Sequence, residues 1–160
     1  MTNTHSNRLP SRLLIRLVVG MGVVAVASLS MAAPARADDF VLIKNAKNGM
    51  AQLPRSEVKN LFTGRTKTWS DAGVVTVVLG AEDTPSTMWL ADKIFQVAAK
   101  TMLTKIKQEV FKGEMKKPLA AGTPAEAIEQ VRNTPGAIAA VPAEAAKALP
   151  AGVAVLPLAD

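Results

Sequence analysis

Three hydroxyl side chains, Thr84, Ser86 and Thr87, stand at the end of a short polar run, residues 80–86, and at the first residue of the helical pattern that it joins to an apolar segment. That placement suits the binding of an anion. The first-turn N–H groups of a helix have no intrahelical partner, and the macrodipole is positive there. Hydroxyls beside them add side-chain donors. The plainer alternative is that Thr84 or Ser86 caps the helix and holds nothing else.

The residues that are missing restrict the chemistry further. The only histidine is His5, and the chain has no cysteine and no tyrosine. Beyond residue 37 there is therefore no imidazole for acid–base work, no thiol nucleophile and neither of the usual zinc ligands. Glu82 and Asp83 are adjacent in a loop, where solvent is the expected partner, not a catalytic cleft. The inventory favours a binding protein over an enzyme and calls for no cofactor and no metal.

The elements that must position these groups alternate between strand and helix. Phe40-Val41-Leu42-Ile43 reads as a buried strand, followed by a polar loop with Lys44, Asn45 and Asn48. Asn45 is a candidate ligand contact at that strand end. Val58, Leu61 and Phe62 mark the buried face of a helix that opens near Pro54 and ends at Gly64. Trp69 reads as a plug over the core. Residues 74–79 form the central strand, and a helix follows over 87–99 with Leu90, Ile94, Val97 and Ala98 on one stripe. A further helix, 101–111, carries Leu103, Ile106 and Val110 on one face and lies in a lysine-rich stretch interrupted by Glu109 and Glu114. Thr123-Pro124-Ala125-Glu126 has the form of a capping box. A strand of small residues, 137–141, a short Ala-rich helix and a last strand, 153–156, complete the chain. The crossovers are long enough for parallel pairing, so the expected fold is α/β, a parallel or mixed sheet flanked by helices. Ligands in such sheets bind beyond the carboxyl ends of strands. The central loop and residues 44–48 both lie at strand ends of that kind.

The front of the chain reads as a secretory signal peptide over residues 1–37. Arg8, Arg12 and Arg16 precede an apolar run, 17–29, and Ala35-Arg36-Ala37 is a cleavage site before Asp38. The run is short of the roughly 20 residues a spanning helix needs. The 160-residue chain has 19 basic and 13 acidic residues. Removing the leader's four arginines leaves 15 basic against 13 acidic, a net charge of +2. Neither that balance nor any motif indicates nucleic acid. The expectation is one periplasmic or secreted domain, residues 38–160, with no membrane insertion after cleavage.

Several fragments carry a resemblance in their order and spacing. Phe40-Val41-Leu42-Ile43 precedes an Asn-containing loop. Leu61-Phe62-Thr63-Gly64-Arg65 is followed by Trp69-Ser70-Asp71. Phe111-Lys112-Gly113 precedes Pro118, and Thr134-Pro135-Gly136-Ala137-Ile138 comes near the end. Together they resemble the phosphate ABC-transporter substrate-binding proteins, within the periplasmic binding protein-like fold. The resemblance implies a receptor that grips an oxyanion with uncharged donors at helix starts and serves an ABC permease. Thr84 and Ser86 align with a Ser and a Thr of the family loop. The family's Arg is Gly80 here, its Asp is Glu82 and its second Gly is Pro85. The chain has about half the length of the two-lobed receptors, which implies a single compact lobe. A phosphate-like oxyanion is thus the expected ligand. The alternative is a protein–protein interaction or sensory module on the same fold with a degenerate ligand site.

Overall fold

The computed structural model describes residues 40–159. The expected leader over 1–37 and its expected cleavage site lie outside those residues. In chain order the elements are β1 (Phe40–Asn45), β2 (Leu53–Pro54), α1 (Arg55–Phe62), β3 (Thr68–Trp69), β4 (Gly73–Val74), β5 (Thr76–Leu79) and α2 (Pro85–Trp89). The last continues without a break as a π-helix, Leu90–Phe95. Then come α3 (Ala99–Phe111), β6 (Leu119–Ala120), α4 (Pro124–Asn133), β7 (Ala137–Pro142), α5 (Ala143–Ala146), β8 (Val153–Leu156) and β9 (Leu158–Ala159).

Five strands form the main sheet in the order β6-β5-β7-β1-β8. β5 runs parallel to both β6 and β7, whereas β1 is antiparallel to β7 and to β8. The sheet is therefore mixed, one of the two forms expected, with β1 as its antiparallel strand. A continuous apolar run marks a strand buried on both faces, which is commonest in parallel sheets; β1 has that burial while pairing antiparallel on both sides.

Alternation along β1 divides the core into two layers. Phe40 and Leu42 face a layer with Leu61, Phe62, Leu90, Ile94, Met102 and Ile106. Ile43 faces the other, with Ala127, Val131, Ala137, Ala139 and Val141 beneath α4. The small residues of β7 are what let α4 lie close to the sheet. Trp69 is buried as a plug, and its indole N–H donates to Gly136 O at 2.9 Å.

Two elements differ from the sequence pattern. The strand over 74–79 divides at Val75, because Val75 N–H donates to Lys67 O and Thr76 N–H to Gly136 O, both at 2.9 Å. The helix over 87–99 ends at Gln96, which adopts a left-handed φ of 56°. Its i→i+5 bonding lets Leu90, Ala91, Ile94 and Phe95 all face the core, and Val97 and Ala98 fall outside the stripe, exposed. By contrast α1 buries Val58, Leu61 and Phe62 as its spacing requires, and Gly64 takes the positive φ of a helix stop.

Candidate functional site

β5 and β6 are adjacent and parallel, so their carboxyl ends deliver two loops side by side. Each loop enters a helix through the same dipeptide. Thr84-Pro85 opens α2 and Thr123-Pro124 opens α4. Proline suits both positions, since its fixed φ matches the helix and the N–H it lacks has no partner there. The carbonyl of each threonine accepts the first helical bond, from Met88 N–H at 3.0 Å and Ala127 N–H at 3.1 Å. The N–H groups of Ser86, Thr87 and Ala125 are left without an intrahelical acceptor.

Between the two helix starts lies a cleft of about 150 Å³. Its polar rim includes Thr84, Ser86 and Thr123, with Gly80 and Gly122 at the loop bases. Its walls include Phe40, Leu90 and Ala140. Phe40 is held in place by stacking on Trp89, with ring centroids 6.0 Å apart. The volume is several times what one water needs, so a small ion or polar solute fits.

The hydroxyls are not equivalent. Thr84 Oγ1 donates to Ala81 O at 2.7 Å and shares a hydrogen bond with Thr87 Oγ1 at 2.9 Å. Its proton is thus committed within its own loop. Thr87 is fully buried and stands behind Thr84, away from the cleft lining; it positions Thr84. Ser86 lines the cleft, half-buried. Thr123 Oγ1 accepts from Glu126 N–H at 3.2 Å, which leaves its own proton free to donate. Thr123 reads in sequence only as a cap. The signal that it also borders a site is the repeated Thr-Pro.

Asn45 is placed elsewhere. Because β1 runs antiparallel to β7, its carboxyl end lies at the opposite end of the sheet from the cleft. Asn45 is buried there and Nδ2 donates to Val131 O at 2.8 Å and Arg132 O at 2.9 Å, closing the last turn of α4. Expected in sequence as a ligand contact, Asn45 here serves as a helix-end cap, apart from the cleft lining. Asn45→Ala is expected to lower stability by about 1 kcal/mol, since water can reach part of the freed carbonyls. Urea unfolding measures it, and an unchanged midpoint would contradict the cap.

The electrostatics are one-sided. Among the described residues the cleft lining contains no lysine or arginine. Glu126 Oε2 accepts from Gly122 N–H at 2.7 Å, one residue before the position a capping box uses, so a carboxylate already sits at the start of α4. Glu82 and Asp83 are exposed in the α2 loop. Among the described residues no group of three or more His, Cys, Asp or Glu could hold a metal. No described helix is long and apolar enough to cross a membrane.

A family model described as a PBP superfamily domain matches residues 28–157. Two solved structures are similar to the chain. One is PstS from Borrelia burgdorferi, with 15% identity, a TM-score of 0.54, and coverage of 75% of this chain and 47% of that one. The other is an ABC-type phosphate transport receptor from Vibrio cholerae, with 12% identity, a TM-score of 0.49, and coverage of 76% and 47%. This chain spans about half the length of either. No curated protein matches it significantly.

Proposed function

The chain belongs to the PBP superfamily, and on that premise we propose that it is an exported, non-catalytic binding protein for a small oxyanion of the phosphate class. The observation that carries this reading is the pair of Thr-Pro helix starts facing one cleft at the ends of β5 and β6. Ser86 Oγ, the first-turn N–H groups and Thr123 Oγ1 are the donors. Thr84 accepts from a protonated ligand oxygen, since its own proton is used by Ala81 O. Thr87 holds Thr84 in place.

Such a site prefers a singly charged ligand. Among the described residues no cation in the cleft lining offsets a second negative charge, and Glu126 opposes it. Phosphate affinity is therefore expected to fall as pH rises through the ligand's second ionisation. Isothermal titration of the chain beginning at Asp38, on either side of that ionisation, tests it. Tighter binding of the dianion would contradict this donor set.

The leader and the family together suggest delivery to an ABC permease from the periplasm or outside the cell. Secreted material is expected to begin at Asp38, as N-terminal sequencing would reveal. A second reading, an interaction or sensory module with a degenerate pocket, draws support from Glu126 at the α4 start and Gly80 in place of the family's arginine. It predicts no heat with phosphate or sulfate at either pH.

A further inference from the structure

α3 does not bury the whole of its apolar face. Met102 and Ile106 enter the core, but Leu103 and Val110 are only partly covered, and Phe111 at the helix end is 90% exposed. Beside them runs β6, an edge strand of the sheet. Helix and edge bound a groove of about 520 Å³ whose walls include Leu79, Leu103, Val110, Phe111 and Leu119. An exposed phenylalanine continuous with an apolar groove is the pattern of a surface made to be covered.

Among the described residues the charged members of this lining are both lysines, Lys107 and Lys117. Lys116 is exposed next to the second. Among the described residues none of the three has a carboxylate within ion-pair distance; the nearby Glu109 and Glu114 are taken by Lys112 and Lys67. We propose that the groove between α3 and β6 docks an acidic, amphipathic polypeptide segment of another protein, its apolar side chains in the groove and against Phe111, its carboxylates on Lys107 and Lys117. Charge selects this occupant over a second copy of the chain, because a two-fold contact through this face sets lysines against lysines. Shape selects it over a membrane. A concave slot between a helix and a strand receives a helix or an extended segment, whereas a bilayer surface reaches only what protrudes. Leu79 and Gly80 line both this groove and the cleft, so an occupant would press on the α2 loop from behind.

The probe is a fluorescein-labelled amphipathic peptide of Leu and Glu, with its Leu/Lys counterpart as control, followed by anisotropy. The expected result is saturable binding of the acidic peptide alone, weakened by salt. Phe111→Ser should weaken it at least tenfold with circular dichroism unchanged, since the ring is exposed. The double substitution Lys107→Glu with Lys117→Glu should exchange the preference to the Leu/Lys peptide, a reversal that misfolding cannot imitate. The proposal is overturned by absent or non-saturable binding, or by affinity indifferent to Phe111→Ser. Stronger partition onto phosphatidylglycerol vesicles than onto the peptide also overturns it. So does a concentration-dependent dimer that Phe111→Ser abolishes.

Discussion

Glu126→Gln is expected to raise the affinity for phosphate about tenfold, roughly 1.4 kcal/mol. The carboxylate accepts Gly122 N–H and stands at the positive end of α4, where a bound anion would also seek its stabilisation. Glutamine keeps an oxygen that can accept the same N–H and keeps the length of the side chain, but it removes the charge that repels the ligand. The same change should cost about 0.5 kcal/mol of stability, because an acidic residue in a first helical turn interacts favourably with the dipole. Opposite signs for affinity and stability set this outcome apart from general loosening of the helix. Titration calorimetry and urea unfolding on one preparation measure both. A lower affinity in the variant would mean that the anion does not sit at the α4 start.

Gly136→Ala is expected to lower stability by about 3 kcal/mol, at the upper end of what overpacking usually costs. A Cβ at this position would overlap the carbonyl of Val74 and crowd that of Ala72, both backbone atoms that cannot rotate aside. Relief requires the 72–75 connector to move. That movement breaks the bonds that Thr76 N–H and Trp69 Nε1–H each make to Gly136 O at 2.9 Å. For a domain of this size the melting temperature should fall by roughly 10 °C. Gly73→Ala is the control. Its φ of 73° strains any side chain, yet nothing lies near the new methyl, so it should cost about 1 kcal/mol. A loss at Gly136 no larger than that at Gly73 would show that the close approach to Val74 O is relieved cheaply and does not determine stability.

These residues also mark how far the sequence could be read. Helix α1, the cap at Thr123 and the Trp69 plug were legible, because local spacing and side-chain type determine them. The close approach at Gly136 was visible only as a Pro-Gly turn. Its partner, Val74, is far away in the chain and nothing local names it. The direction of β1 was not legible from local residues, and it carries Asn45 to the end of the sheet opposite the cleft. Among the hydroxyls, sequence could place Thr84, Ser86 and Thr87 in one loop. Burial then separated Ser86, in the cleft wall, from Thr87, sealed behind Thr84. Thr123 went unnoticed as a donor because a cap and a ligand contact use the same residue type at the same helical position. The Phe111 face was masked in the same way. One stripe of Leu103, Ile106 and Val110 describes a buried helix as well as a half-covered one.

An oxyanion held between the two Thr-Pro helix starts would perturb the backbone amides around it. Amide NMR of the chain beginning at Asp38, titrated with phosphate at a pH where the monoanion dominates, tests it most directly. Saturable shifts are expected to concentrate at Ser86, Thr87, Gly122, Thr123 and Ala125, with the amide of Asn45 unmoved. Shifts absent at millimolar phosphate, or gathered at the β1 end around Asn45, would contradict it.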